Sequence, residues 1–287
     1  MDPISVTVAR GPLVESRHLV HAVVVREGEV VESWGDPEVV SFVRSAAKPL
    51  QALPLVPFGL PDEELAIACA SHEALPEQLV AVRALLDRGG NSAEDLECGA
   101  AHGSRLRHNC SGKHAGFLFL ARQRGWEAPG YRLPKHPVQQ EVRALVGAAV
   151  GRDGSSLDTA VDGCGVPTFA LSLVEMARVF AGLVRGEPAG AEAVVRAMTA
   201  HPRLIGGPAA VDTLVMRALP GAVAKRGAEG VLCVGLPEGA GVALKVDDGA
   251  NRAAYSAAGL VLGITELQER PLRNSRGEVV GSIAAAP

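Results

Sequence analysis

Strand-forming sequence gathers at the two ends of this chain and helix-forming sequence fills its middle, which is not the alternation of a parallel βαβ sheet. Residues 19–26 are β-branched and apolar, Glu27-Gly28 is turn chemistry, and residues 29–34 resume a strand, so this stretch reads as a hairpin. The stretch GVLCVGLPEGAGVALKVDDG reads likewise, as two strands joined by a Pro/Gly-rich turn. Between them the pattern predicts helices around 47–57, 76–88, 112–125, 137–150, 169–185, 190–200 and 209–219, and another at about 254–269 follows the last strand. The expectation is an α+β fold: an antiparallel sheet built from the terminal hairpins, with a helical region inserted. It forms one domain over residues 1–270, with a helical sub-lobe at roughly 45–220, and residues 271–287 read as a short, loosely held tail.

With 47% hydrophobic and 21% charged residues the chain can bury a sizeable core. A net charge of -4 leaves no basic footprint for nucleic acid, and no lysine-rich run suits an acidic membrane surface. No apolar run reaches the roughly 18 residues needed to span a bilayer. The opening MDPISVTVAR lacks a positive segment followed by an apolar one, so the expected location is the cytoplasm. Five dispersed cysteines fit that location, because an odd set does not suggest a disulfide framework. Cys69 and Cys233 lie in apolar runs and read as small buried hydrophobes. Cys98 is ambiguous, whereas Cys110 and Cys164 sit among polar residues and glycines.

Lysine usage is sharper. Only five lysines, at 48, 113, 135, 225 and 245, stand among 28 basic residues. Lysine can lose its charge when buried and act as a base, whereas arginine stays protonated. In Arg44-Ser45-Ala46-Ala47-Lys48-Pro49, a serine three residues before a lysine at a helix start places both side chains on one face. A desolvated lysine there can activate the serine hydroxyl. The competing reading is a serine N-cap with a solvated lysine, which the helix dipole and the scarcity of lysine both disfavour. Ser71, in Cys69-Ala70-Ser71-His72-Glu73, ends an apolar run and can face a cleft or cap the next helix.

Asn109-Cys110-Ser111-Gly112-Lys113-His114 packs an amide, a thiol, a hydroxyl, an amine and an imidazole at the start of a helix whose N–H groups can hold a carboxylate or oxyanion. Asp162-Gly163-Cys164-Gly165 presents a carboxylate and a thiol on a sharp loop. The two loop cysteines, with Lys113 or His114, can bind zinc if the loops meet; otherwise Asp162 holds a substrate ammonium and the thiols shape the pocket. Further on come His201-Pro202, Gly206-Gly207, and Lys225 beside a strand.

In this order, RSAAKP, CASHE, NCSGKHAG, DGCGVP, HP followed by glycines, K-x-GAEGV and GVALK-x-DDG resemble the Rhizobium etli-type, or class 3, L-asparaginases of the asparaginase II family. The resemblance spans residues 9–256. It implies a fold like that of serine β-lactamases and penicillin-binding proteins, a homodimer, and hydrolysis of L-asparagine to aspartate and ammonia without an organic cofactor. It implies Ser45 as nucleophile with Lys48 as its base, and Ser71 with Lys225 as a second pair. It also implies Cys110, Lys113 and Cys164 as zinc ligands, and Arg44, His114, Asp162 and Gly207 as substrate contacts. One departure is plain: the family often has a glycine-acidic-glycine turn after HP, and this chain reads Ile205-Gly206-Gly207-Pro208-Ala209. Two other readings compete. A further serine–lysine or β-lactamase-like hydrolase would be expected to carry a K-T-G strand, which is missing here. A zinc- or thiol-based regulatory protein would leave both serine–lysine pairs without a purpose.

Overall fold

The computed structural model describes residues 1–286. Its strands are β1 (Ile4–Arg10), β2 (Leu13–Arg26), β3 (Glu29–Trp34), β4 (Val40–Phe42), β5 (Thr159–Val161), β6 (Pro167–Ser172), β7 (Val223–Arg226), β8 (Val231–Gly235), β9 (Gly241–Val246), β10 (Glu269–Arg273) and β11 (Val279–Ala286). The helices are α1 (Lys48–Ala52), α2 (Asp62–Ala68), α3 (Pro76–Arg88), α4 (Ser111–Arg124), α5 (Pro137–Ala149), α6 (Leu173–Val184), α7 (Ala191–Ala200), α8 (Pro202–Gly206), α9 (Val211–Ala218), α10 (Asn251–Leu262) and α11 (Thr265–Gln268).

The main sheet has the order β10-β11-β1-β2-β9-β8-β7, with β3 also paired to β2, and every pairing is antiparallel. In β1, Ile4, Val6 and Val8 turn inward between less buried neighbours, the period-2 pattern of a half-covered strand. Both expected hairpins are present, β2–β3 and β8–β9, and β2 joins them by pairing with β9. Helix α6 packs on β2, β8 and β9. Its approach is so close that a Cβ on Gly241 would lie 1.9 Å from the Ala177 carbonyl oxygen, so only glycine fits there.

Two expectations need correction. Residues 167–172 are strand β6 of a small β4-β6-β5 sheet, and the helix expected from 169 begins at Leu173. The cause is local: Ser172 Oγ accepts from the Glu175 N–H at 3.2 Å and the Glu175 carboxylate accepts from the Ser172 N–H at 2.8 Å, a capping box that fixes the helix start. Nor do residues 271–286 hang loose: β11 lies between β1 and β10, in register from Ser5↔Ala286 to Arg10↔Gly281. The small residues of Gly-Ser-Ile-Ala-Ala-Ala hide a strand whose backbone does most of the pairing.

The topology brings four pieces to one place. A 3₁₀ turn, Arg44–Ala47, runs into α1; the loop after α2 carries Ser71; α9 opens with Asp212; and β7 forms one edge of the sheet.

Candidate active site

Ser71 is the centre of this meeting point. It is buried, and its backbone N–H is tied to the Ile205 carbonyl at 2.8 Å. Its hydroxyl lies 3.0 Å from Lys48 Nζ and 3.0 Å from Lys225 Nζ, so one serine stands between both lysines. The expected Ser45–Lys48 hydrogen bond is absent among the described residues; Lys48, wholly buried, turns to Ser71 and to the Ala70 carbonyl instead. Burial lowers the pKa of Lys48, against a smaller upward pull from Cys110. Burial also lowers Lys225, to about 7, although Asp212 pulls it back up. Lys225 has an acceptor for each of its protons: Ser71, the Arg226 carbonyl at 2.8 Å and the Asp212 carboxylate at 3.3 Å. Lys48 has no carboxylate partner among the described residues, so the ion-paired lysine is Lys225 and the amine freer to accept a proton is Lys48.

Ser45 sits differently. Its hydroxyl makes no hydrogen bond among the described residues, and it shares with Ser71 the wall of a cavity of about 340 Å³. Arg44, just before it, has φ 51°, a left-handed conformation that costs a side-chain-bearing residue about 1–2 kcal/mol. Two contacts hold Arg44 there: its N–H donates to Thr168 Oγ1 at 3.1 Å, and its guanidinium donates to Asp162 at 2.7 Å. The Ser45 and Ala228 N–H groups, both on residues lining the cavity, have no backbone acceptor among the described residues.

Cys110, Lys113 and Cys164 are brought together beside Lys48, all buried, with Lys113 Nζ donating to Cys164 Sγ at 3.0 Å. The hydrogen bond from Cys164 holds the Cys110 thiol well below its ordinary pKa, while that same bond and burial push Cys164 up. Two thiols and an amine suit zinc, although Lys113 must shed a proton to ligate. Among the described residues no group of three or more histidine, cysteine and carboxylate side chains could hold a metal ion, so any site here depends on the amine.

The four expected substrate contacts lie outside the cavity wall. Arg44 and Asp162 satisfy each other, and His114 is fully buried on α4, with Nδ1 2.7 Å from the Tyr131 hydroxyl. His114 keeps its Nε2 without a partner among the described residues, and Arg44 spends only its Nε on Asp162. Gly207 stays close: at φ 86°, a Cβ there would meet Glu73 Oε2 at 2.4 Å.

Three groups at the site carry no signal of their own in the sequence. Asp212, wholly buried, accepts from Lys225 and from Arg226 Nη1 at 3.3 Å each. Burial pushes its carboxyl up, yet the two cations hold it below the usual carboxylate value. Arg226 also donates to the Ser71 carbonyl at 3.1 Å and lines the cavity. Glu73, the only carboxylate in the cavity wall among the described residues, lies 3.9 Å from Arg226. Nothing in their spacing separates these from the other acids and arginines of the chain.

A serine bridged by two buried lysines beside a second, free serine, on a helix-covered antiparallel sheet, is the equipment of a hydrolase. The chain belongs to the L-asparaginase II family, whose model matches residues 6–285. No curated protein matches the sequence. Among solved structures the chain is similar to a β-lactamase from Sphaerobacter thermophilus (16% identity, 85% of this chain and 92% of that one, TM-score 0.42). It is similar also to a β-lactamase from Mycobacterium bovis (15% identity, 79% and 86%, TM-score 0.42). A third is an octameric penicillin-binding protein homologue from Pyrococcus abyssi (12% identity, 85% and 73%, TM-score 0.41). The family assignment rests on the sequence match alone. Among the described residues no helix is long and apolar enough to cross a membrane.

Proposed function

We propose that the chain is an L-asparaginase of the Rhizobium etli type, which hydrolyses L-asparagine to L-aspartate and ammonia through an ester on Ser45. The observation that carries this reading is the Ser71 hydroxyl, 3.0 Å from both lysines, beside a Ser45 hydroxyl that is unengaged in the same cavity. Ser45 is the serine free to attack. Its Oγ adds to the side-chain amide carbon while its proton passes through Ser71 to the Lys48 amine. The N–H groups of Ser45 and Ala228 are available to the oxyanion. As the C–N bond breaks, the Ser71 hydroxyl gives a proton to the departing nitrogen and recovers one from Lys48, and ammonia leaves. Water then cleaves the Ser45 ester to aspartate, with the same groups carrying the proton back.

Zinc belongs to this proposal as a bound ion held by Cys110, Lys113 and Cys164. When bound, it supplies a fixed positive charge beside Lys48, which favours the neutral amine. The working form is a homodimer in the cytoplasm, which the five free cysteines suit.

Ammonia release from L-asparagine and L-glutamine, measured for the wild type, Ser45→Ala and Ser71→Ala, tests the reading. Wild type should turn over, Ser45→Ala should fall to background, and Ser71→Ala should lose about 10²–10⁴-fold as a proton relay is removed. Wild type inert on both amides sinks the asparaginase assignment. Activity that survives in Ser45→Ala and vanishes in Ser71→Ala moves the ester to Ser71. Elemental analysis of the purified protein finding no zinc removes the metal.

A further inference from the structure

A zwitterionic substrate needs an anion for its ammonium and a cation for its carboxylate, both within reach of the nucleophile. The cavity that exposes Ser45 and Ser71 holds one of each, Glu73 and Arg226, 3.9 Å apart at their nearest atoms. Arg226 is committed on its far side to Asp212 and to the Ser71 carbonyl, which fixes its guanidinium in place. Asn251, also in the wall, spends its side-chain oxygen on the Gly230 N–H at 3.0 Å, and its amide NH₂ has no partner among the described residues. Glu73 has no hydrogen bond to its carboxylate there, only the long Arg226 contact, and its side chain is 45% exposed.

The backbone around Glu73 is built for it. The Glu73 N–H donates to Gln78 Oε1 at 2.9 Å, and Ala74 adopts φ 59°, which turns the chain sharply after the side chain leaves it. Gly207 faces the carboxylate; its missing Cβ leaves the space Glu73 Oε2 fills, since a Cβ would stand 2.4 Å away. The turn itself, Gly206-Gly207-Pro208-Ala209, carries no acid of its own.

We infer that Glu73 binds the α-ammonium of the substrate, with Arg226 and the Asn251 amide receiving its α-carboxylate, so that Glu73 selects amino-acid amides over amides lacking the amine. This deepens the asparaginase reading and rests on it for the reaction, though not for binding. Asp162 spends its Oδ1 on Arg44 and the Gly163 N–H and is not among the residues lining the cavity.

Calorimetry of L-aspartate and of succinate, the same diacid without its amine, binding to wild type and Glu73→Gln decides it. Wild type should bind L-aspartate more tightly than succinate. Glu73→Gln should weaken L-aspartate about 10- to 100-fold, the loss expected of a charge-assisted hydrogen bond, and leave succinate unchanged. Gly207→Ala, which crowds the carboxylate out, should shift selectivity the same way. Equal weakening of both ligands, an unchanged preference in Glu73→Gln, or a wild type that does not favour L-aspartate overturns the inference. Ammonia release from wild type with an unchanged preference in Glu73→Gln overturns Glu73 and spares the asparaginase reading. A preference that depends on Glu73 in a protein releasing no ammonia does the reverse.

Discussion

Replacing Asp212 by asparagine removes one negative charge and keeps the shape of the side chain. Lys225 Nζ and Asp212 Oδ2 are 3.3 Å apart, and neither side chain is exposed. At an effective dielectric of about 20, two unit charges at that distance attract by about 5 kcal/mol. One pKa unit is about 1.36 kcal/mol, so this would correspond to more than three units without relaxation, and we expect about one to two. In the wild type Lys225 titrates near 7. Without its anion the ammonium is harder to keep, so the neutral form appears at lower pH. The Lys225 pKa, read by NMR of the isotope-labelled amine, should therefore move from about 7 to between about 5 and 6, the direction expected when an opposite charge is removed.

Stability carries the same sign. The folded pKa of Lys225 lies below its unfolded value, so the unfolded chain binds more protons between about pH 7 and 10, and wild-type stability rises with pH across that window. In Asp212→Asn the buried cations lose their partner, a loss of about 3–5 kcal/mol while Lys225 is protonated, and a smaller one once it is neutral. Melting temperatures at pH 6 and pH 9 should show a larger deficit at pH 6 than at pH 9. A Lys225 pKa that stays near 7 or moves upward, or an equal deficit at both pH values, would refute the pairing argument.

Two further predictions concern the scaffold. Gly241→Ala drives a methyl into the Ala177 carbonyl of α6 and should cost about 1–3 kcal/mol in chemical denaturation; an unchanged midpoint would show that α6 is not pinned to β9. Ala74→Gly relieves a positive φ of 59° and should add about 1 kcal/mol to stability, whereas a loss would mean that its methyl packs usefully in the Ser71 loop.

What the sequence made legible was the chemistry concentrated in rare letters. Lys48, Lys113 and Lys225 stood out because this chain writes its charge as arginine, and all three are buried. Ser71, Cys110 and Cys164 stood out by local density, and both thiols lie with Lys113 as the motifs suggested. The pairing of the groups was less readable. Spacing in Ser45-x-x-Lys48 points the two side chains along one face, yet Lys48 reaches across to a loop 23 positions away because that loop supplies two acceptors, the Ser71 hydroxyl and the Ala70 carbonyl, to its buried amine. Asp212, Arg226 and Glu73 are not legible for another reason: acids and arginines are common in this chain, and only the fold gathers these three beside Ser71. The antiparallel sheet is legible in its β-branched hairpins, while β11 is not, because alanine and serine carry little strand preference of their own.

The sheet order has a consequence for how the chain comes alive. Since β11 is the neighbour of β1, the early strand waits unpaired on that side until one made more than 260 residues later arrives. Such long-range closures are slow, and they leave an apolar edge open in the meantime. The two serines, by contrast, are made early and Lys225 late, so a nascent chain holds its hydroxyls long before it holds the amine that completes them. An intermediate that has not yet docked β7 therefore lacks the Lys225 contact to Ser71, whatever the state of its later strands.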